Sequence, residues 1–305
     1  MSIVETPPHG DDAGEEYKEV RKMQTAPQVA ELGSIKERFS LAGKKALVTG
    51  AAGGIGRTTA AAFAELGADV AIVDIAPRLD DAQKVADEIA ERFGVKTIAV
   101  ASDVGDANAV DAMVKTVIDQ LGGLDIVHSN AGIVSGEDNA DMPVEVWDRM
   151  VRVNLTGMFL VNRRAAATMK ANGTRGSIIN TASMSGTIVN QAPEGGRHGI
   201  AYSTTKAGVI HLTKAMAADY ALDGIRVNCV SPGVMISGIH DAYLQSQGVS
   251  YEQFNAAARH APFSVPMGRF GTMDEIGGIV AFLATDLASF MTGADVVIDG
   301  GTTIW

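Results

Sequence analysis

Cysteine is almost absent from this chain of 305 residues, with Cys229 the single one. One thiol cannot form an intrachain disulfide, which excludes a disulfide-stapled fold, and the apolar stretch around Cys229 predicts simple core packing for it. Histidine is also scarce, and its six positions show no clustered ligand spacing: His9, His128, His198, His211, His240 and His260. We therefore expect no zinc or other metal site.

Positive charge is the second shortage, because 25 Lys and Arg face 36 Asp and Glu and give a net charge of −11. Such a chain has no general affinity for phosphate backbones or anionic lipid, so no nucleic-acid partner is expected. No apolar run approaches the roughly 18 residues that span a bilayer, which predicts no membrane insertion. The amino terminus opens polar and acidic, unlike a signal peptide, so a cytoplasmic location is the expectation.

Aromatic residues make up only 5% of the chain, whereas 46% of its residues are hydrophobic and 34 are glycine. That balance favours a parallel sheet packed by helices rich in small residues. Residues 1–40 are polar and acidic, and they predict a partly ordered extension, with an arm that clasps another subunit as the alternative. The length of residues 41–305 suits one large domain, although two small domains would also fit.

From residue 41 onward, short apolar runs alternate with helical stretches, which indicates repeated βαβ units. The runs predicted as strands are Lys45–Thr49, Asp69–Asp74, Lys96–Ala101, Ile126–Ser129, Ser177–Thr181, Arg226–Ser231 and Asp295–Asp299. The prediction is a single α/β domain of the doubly wound Rossmann type, with a seven-stranded parallel sheet and helices on both faces. Ligands of such folds bind at the carboxyl ends of the strands, where the strand order reverses.

A glycine-rich turn joins the first predicted strand to an alanine-rich helix, a succession typical of a phosphate-binding site. Gly50 permits the tight turn, Gly54 lets the backbone approach a pyrophosphate, and Gly56 allows the helix to pack closely on the strand. Glycines in this order after a strand predict a dinucleotide cofactor.

The choice between NAD and NADP depends on Asp74, which ends the second predicted strand. Its carboxylate can accept hydrogen bonds from both ribose hydroxyls of NAD and would repel the 2′-phosphate of NADP. An aspartate at the end of a strand can also be a simple turn residue. NAD is the predicted cofactor. NADP stays as an alternative because Arg57 and Arg78 are nearby cations that would attract its 2′-phosphate.

Four stretches resemble the pattern of the short-chain dehydrogenase/reductase family: TGAAGGIG at 49–56, Asp103–Val104, SNAG at 129–132 and SPGVMIS at 231–237. Ser129 departs from the usual Asn of the third stretch, and Ser237 stands where the family usually has Thr. The resemblance covers residues 41–305. It implies cofactor contacts at Gly50, Gly54, Ile55, Gly56, Asp74, Asp103, Val104, Asn130, Ala131, Gly132, Tyr202, Lys206, Pro232, Gly233 and Ser237.

Tyr202 and Lys206 are spaced to lie about one turn apart on the same helix face. A nearby cation lowers the pKa of a phenol, which would suit Tyr202 to proton transfer near neutral pH. Such a pair alone is more often a solvated surface pair. The family resemblance implies a catalytic tetrad instead, in which Ser183 polarises the carbonyl, Tyr202 exchanges the proton, Lys206 binds the nicotinamide ribose, and Asn154 holds a water.

The segment between Ser183 and Tyr202 is longer than the family commonly has, and its polar side chains predict a role in substrate selection. The predicted substrate contacts are Ser185, Glu194, Arg197 and His198. A solvated loop is the alternative. The stretches SMSGTIVN and IDGGTTIW resemble sugar and polyol dehydrogenases of the family, which implies a small-molecule alcohol or carbonyl substrate and a homotetramer. A 3-oxoacyl, steroid or other hydrophobic-ketone reductase and a catalytically silent nucleotide sensor stay as alternatives.

Overall fold

The protein was analysed as a computed structural model, which describes residues 33–190, 199–236, 244, 248–260 and 264–304. The chain divides into two units, Met1–Arg38 and Phe39–Trp305. In the first unit the described residues form one four-residue helix, Ile35–Arg38, none of whose side chains is buried. The predicted extension therefore falls largely outside the described residues.

Strands and helices alternate through the second unit. The strands are β1 Lys45–Thr49, β2 Asp69–Asp74, β3 Thr97–Ala101, β4 Ile126–Ser129, β5 Ser177–Thr181, β6 Arg226–Pro232 and β7 Asp295–Ile298. The helices are α1 Gly54–Glu65, α2 Leu79–Phe93, α3 Ala107–Leu121, α4 Val144–Val151, α5 Gly157–Ala171, α6 Ile200–Tyr220, α7 Tyr251–Ala256 and α8 Met273–Ala284. A π-helical turn, Arg152–Thr156, joins α4 to α5. The predicted strands are confirmed to within one residue at each end.

The strands form one seven-stranded sheet in the order β3-β2-β1-β4-β5-β6-β7. Every neighbouring pair is parallel, from β1 beside β2 to β6 beside β7. The order reverses between β1 and β4, so the segments that follow these two strands leave on opposite sides of the sheet. A doubly wound sheet opens a crevice at such a point, at the carboxyl ends of its strands.

Helices cover both faces of the sheet, which is why its central strands read as nearly continuous apolar runs. On one face Ala46 and Val48 of β1 pack with Phe63 of α1 and residues of α8. On the other face Leu47 packs with residues of α3, α5 and α6, including the fully buried Met169. The fold prediction, a single Rossmann-type α/β domain, is confirmed.

None of the helices in the described ranges combines the length and the hydropathy that a membrane span needs. No three His, Cys, Asp or Glu side chains of the same ranges are grouped as a set of metal ligands. Cys229 is buried in β6 and free of disulfide partners, and burial raises the pKa of its thiol to about 12.

Candidate active site

The glycine-rich turn between β1 and α1 lies at the crevice. A Cβ on Gly56 would come within 2.3 Å of the Gly50 carbonyl oxygen, so only glycine allows the helix to begin this close to the strand. Gly53, the N-cap residue of α1, offers no side-chain cap to the first amides of the helix. Free amides at a helix start favour an anion. Gly54 and Ile55 line a cavity of about 600 Å³ at this point.

Asn130, just beyond β4, connects the two halves of the crevice. Its side-chain amide donates hydrogen bonds to the carbonyl oxygens of Thr49, at 3.0 Å, and of Gly50, at 3.3 Å. The Thr49 hydroxyl in turn accepts the backbone amides of Asn130 and Ala131. These bonds hold the turn after β4 against the glycine-rich turn, as the predicted cofactor roles of Asn130, Ala131 and Gly132 require.

A second cavity, of about 630 Å³, adjoins the first and shares its Arg78, Asn130, Gly132, Ile133 and Val134 lining. Asp74 and Val104 also line it. The Ser102 hydroxyl is buried at its edge and has no hydrogen-bond partner among the described residues. Two adjoining cavities on either side of an anion-binding turn fit an extended dinucleotide.

The Asp74 carboxylate is 9% exposed and already bonded to backbone. One oxygen accepts the Ala52 amide at 3.0 Å, and the other accepts the Ile75 amide at 2.9 Å. The Arg78 guanidinium lies 3.7 Å from the same carboxylate and also donates to the Ala52 carbonyl oxygen. Asp74 therefore binds the backbone of the glycine-rich turn, as the alternative interpretation of a strand-end aspartate has it, and also lines the cavity.

Asp103, predicted with Val104 as a cofactor contact, has its carboxylate engaged too. It accepts the Gly105 amide and pairs with Arg152 at 2.9 Å. The Arg152 hydrogen bond is the main reason that the pKa of Asp103 is lowered, with burial acting against it. Val104 is buried, and both residues line the larger cavity.

Tyr202 and Lys206 lie on α6 and both line the smaller cavity, which confirms the shared helix face that their spacing predicts. The Lys206 ammonium nitrogen is 5.6 Å from the centre of the Tyr202 ring. That nitrogen donates to the Thr181 carbonyl oxygen at 2.6 Å, at the end of β5. Lys206 is only 3% exposed, so it is a buried cation inside the crevice and not part of a solvated pair.

Ser183 reaches Tyr202 from the short helical turn Met184–Gly186 that follows β5. A Cβ on Gly186 would come within 2.8 Å of the α6 backbone at Lys206, so glycine lets this turn lie against the helix. The Ser183 hydroxyl also interacts with the Tyr202 phenol, whose pKa it acts to lower. On its other side Ser183 donates to the Ser185 hydroxyl, which also accepts the Asn190 amide at 2.8 Å.

The protonation equilibria differ from the sequence expectation. Burial raises the pKa of Tyr202 above its usual value, and the interaction with Ser183 only partly opposes that. Burial also lowers the pKa of Lys206 to about 8. The expected lowering of the Tyr202 pKa by Lys206 is therefore not what the structure has, because the removal of a phenolate from water dominates the pKa.

Asn154 is in the π-helical turn between α4 and α5 and is fully buried. Its side-chain oxygen accepts the Ile133 amide at 2.7 Å, and its side-chain nitrogen donates to the Ile133 carbonyl oxygen at 2.9 Å. The side chain thus clamps the segment after β4. π-helical turns are frequent at functional sites, and this one brings Asn154 to the same crevice as Tyr202 and Lys206.

The remaining predicted residues lie apart from this cluster. Pro232 ends β6, and Gly233 follows it against Asp299, where a Cβ would come within 2.7 Å of the Asp299 backbone. Both are thus at the carboxyl edge of the sheet, two strands away from β4. Ser237, predicted as a cofactor contact, and Glu194, Arg197 and His198, predicted as substrate contacts, lie outside the described residues.

Comparison with known proteins agrees with this architecture. A family model described as enoyl-(acyl carrier protein) reductase matches residues 50–303. The structure of a short-chain type dehydrogenase/reductase from Mycobacterium marinum is 41% identical, with a TM-score of 0.77, and the match covers 89% of this chain and 99% of that one. The chain belongs to the short-chain dehydrogenase/reductase family. It is an oxidoreductase of the group that uses NAD or NADP on alcohols and ketones.

Two characterised relatives in this family differ in substrate. An NADP-dependent mannitol dehydrogenase from Alternaria alternata is 36% identical over 91% of this chain and 97% of that protein. A 3-oxoacyl-[acyl-carrier-protein] reductase from Staphylococcus aureus is 38% identical over 85% of this chain and 97% of that protein. Membership in the short-chain dehydrogenase/reductase family therefore leaves both a polyol and an acyl substrate open.

Sequence reasoning missed His128 and Thr181, which lie behind the family's cofactor crevice. The His128 ring nitrogen Nε2 is 2.8 Å from the Thr181 hydroxyl, which donates to the Asn130 side chain at 3.1 Å. Burial lowers the pKa of His128 to about 3, and the Lys206 charge acts in the same direction. A neutral His128 thus donates to Thr181 and orients Asn130. Nothing in the sequence spacing separated this histidine from the other five.

Proposed function

We propose that the chain is an NAD-preferring dehydrogenase that interconverts a secondary alcohol and a ketone, with a polyol or sugar as substrate. The observation that carries the proposal is that Tyr202 and Lys206 line the cavity that begins at the glycine-rich turn, while Ser183 interacts with the Tyr202 phenol. A bound nicotinamide supplies the hydride acceptor or donor. The chain has to supply placement, a proton and a polar environment.

The proposed division of labour follows from the contacts. Tyr202 exchanges the proton with the substrate oxygen, and Ser183, which interacts with the Tyr202 phenol, holds and polarises that oxygen. Lys206, a buried cation held by the Thr181 carbonyl, binds the ribose next to the reacting ring. Asn154 fixes the segment at Ile133 through both of its side-chain groups, so a water at this residue would have to be held by its main chain.

A hydroxylated substrate is favoured by the polar groups that continue from Ser183. The hydroxyl of Ser185 and the amide of Asn190 extend a hydrogen-bonded row away from Ser183. Such a row matches the spaced hydroxyls of a polyol or sugar, and the mannitol dehydrogenase relative supports the same class. We further propose that Glu194, Arg197 and His198 add to this polar side of the site.

A hydrophobic-ketone or 3-oxoacyl reductase is the second candidate, and the apolar side chains of the cavity favour it. Ile55, Ile133, Val134 and Met273 line the cavity together with Tyr202 and Lys206, and such apolar surface suits an acyl chain or a steroid. The S. aureus relative supports this class.

The proposed preference for NAD rests on Asp74, whose buried carboxylate lines the larger cavity. Arg78 lies beside it and is half exposed, so it could neutralise a 2′-phosphate. The mannitol dehydrogenase relative is NADP-dependent, which makes a measured comparison of the two cofactors necessary.

The test is reduction of NAD⁺ across polyols, sugars, hydroxysteroids and 3-hydroxyacyl esters, followed by the absorbance of NADH with the wild type and Tyr202→Phe. We expect turnover of a polyol or sugar, and a loss of turnover of roughly 10²-fold or more in the variant, because the proton donor is removed. NADH affinity should stay within a few fold. A wild type that binds NADH but turns over no alcohol or ketone would indicate the nucleotide sensor instead.

We also propose a homotetramer. The family resemblance motivates it, together with apolar surface on the helices that pack beside the site. Phe159 of α5 is 39% exposed although it is a large apolar side chain. Two-fold contacts between copies would cover such surface.

A further inference from the structure

The helix that carries Tyr202 and Lys206 begins without a cap of its own. Its N-cap residue is Gly199, which has no side chain to accept the first backbone amides of α6. Helix-start amides that are buried need acceptors from elsewhere, because an unpaired buried amide is costly. The amides of Ala201 and Tyr202 are the ones concerned, since Ala201 is fully buried and Tyr202 is largely so.

A distant carboxylate supplies the acceptors. One oxygen of Asp138 accepts the Ala201 amide at 2.8 Å, and the other accepts the Tyr202 amide at 2.9 Å. Asp138 belongs to the segment after β4, far earlier in the chain, and is only 3% exposed. Apolar side chains surround this helix start: Ile133, Met142, Val146, Trp147 and Met150. Low polarity around charge-assisted bonds strengthens them, and a negative charge at a helix start is favourable in itself.

The same segment has a second anchor at its beginning. Asn154 binds the Ile133 backbone through both of its side-chain groups, at 2.7 and 2.9 Å. Residues 133–138 are thus held at one end by Asn154 and at the other by the first turn of α6. Between the anchors, Val134 is 58% exposed and lines both cavities.

We propose that Asp138 is a positioning residue, which fixes Tyr202 relative to the apolar wall formed by Ile133 and Val134. Its carboxylate binds the Tyr202 backbone, so it sets where the phenol stands with respect to a substrate lying on that wall. Displacement of a catalytic group by a fraction of an ångström lowers the rate of the chemical step more than it lowers binding. The inference rests on the proposed function, in which Tyr202 exchanges the proton.

Asp138→Asn tests the proposal. The asparagine side chain keeps one acceptor oxygen for one of the two backbone amides of α6, whereas its NH2 group faces the other backbone amide, donor against donor. With the best alcohol of the panel and NAD⁺, we expect kcat to fall at least 10-fold, while KM for the alcohol and Kd for NADH stay within about 2-fold. Hydrogen exchange of the peptide that contains Ala201 and Tyr202, followed by mass spectrometry, should accelerate about 10-fold or more.

Asp106→Asn is the matched control. Asp106 caps α3 by accepting the amides of Asn108 and Ala109 at 2.8 and 3.2 Å, and α3 carries none of the proposed catalytic residues. This variant should exchange faster at the start of α3 with kcat unchanged. An equal fall of kcat in both variants would show that cap loss acts through general stability and would overturn the proposal. An unchanged kcat in a folded Asp138→Asn would overturn it too.

Asp138→Glu covers the case in which the first variant does not fold. It keeps the charge and both acceptors but is one methylene longer, so we expect a smaller fall in kcat with KM again unchanged. Failure of both variants to fold would make Asp138 a residue of folding and contradict a positioning role. If the wild type oxidises no alcohol, the proposed function fails, whereas the exchange measurement still tests the attachment of Asp138 to α6.

Discussion

Replacement of Asp74 by asparagine would separate the two tasks that the structure gives to this carboxylate. One task is structural, because Asp74 accepts the Ala52 amide inside the glycine-rich turn at 3.0 Å. The other is the proposed recognition of the ribose. Asp74→Asn removes the charge and keeps one acceptor for the two backbone amides, of Ala52 and Ile75, that the carboxylate binds. A loss within the turn should affect NAD and NADP alike, so recognition is measured by the difference between the two cofactors.

The size of the change can be worked out from the charge. Hydrogen bonds to a charged group contribute about 1.5 to 3 kcal/mol, and neutral ones about 1 kcal/mol. Loss of charge from two ribose contacts should therefore lower kcat/KM for NAD by roughly 10-fold or more, since about 1.4 kcal/mol is a factor of ten. For NADP, a like-charge repulsion of about 1 kcal/mol or more at roughly 4 Å disappears, so kcat/KM should hold steady or rise by several fold.

Arg78→Ala is the complementary variant. The guanidinium is 45% exposed and 3.7 Å from Asp74, and a half-exposed pair of this kind contributes less than about 1 kcal/mol to stability. NAD use should thus change little, while NADP use should fall because the phosphate loses its nearby cation. The assay is kcat/KM with both cofactors in the wild type and both variants. If kcat/KM falls by the same factor for NAD and NADP in Asp74→Asn, recognition by charge is refuted. The hydrogen bond to the Ala52 amide would then account for the effect of the substitution.

Two further predictions concern the substrate and the assembly. Simultaneous replacement of Glu194, Arg197 and His198 by alanine should change the ranking of alcohols by kcat/KM, because these polar groups lie in the chain between Ser183 and Tyr202; an unchanged ranking would favour a solvated loop. Light scattering at micromolar concentration should give the mass of four chains, because association buries apolar helix surface that a single chain exposes to water. A single-chain mass would contradict the homotetramer.

The sheet could be predicted from the sequence because buried parallel strands carry their own signal. β2 is covered on both faces, and every side chain in it after the first is buried, so Val70–Val73 form an uninterrupted apolar run between polar residues. The glycine-rich turn could be predicted for a related reason. There is no room for a side chain at Gly56, so the position requires glycine, and a required glycine is visible in the sequence.

The charges at the site could not be predicted in the same way. Spacing places Tyr202 and Lys206 on one helix face, but the pKa of each depends on how much water surrounds it. Burial raises the pKa of Tyr202 and lowers the pKa of Lys206 to about 8. The amount of burial is set by β5 and by the turn at Ser183, which are brought to α6 only in the folded chain.

Asp138 shows most plainly why part of the site escapes sequence reasoning. In the sequence it is one acidic residue in a polar loop, and its neighbours Glu137 and Asn139 are equally polar. Only the folded chain distinguishes Asp138 from its neighbours. There it is buried at the start of α6, and each of its carboxylate oxygens accepts a hydrogen bond from a backbone amide. A buried carboxylate without such partners would be strongly unfavourable. Asp138 can therefore be buried because it accepts two backbone hydrogen bonds. The donors of both bonds are in the first turn of α6, the helix that carries Tyr202.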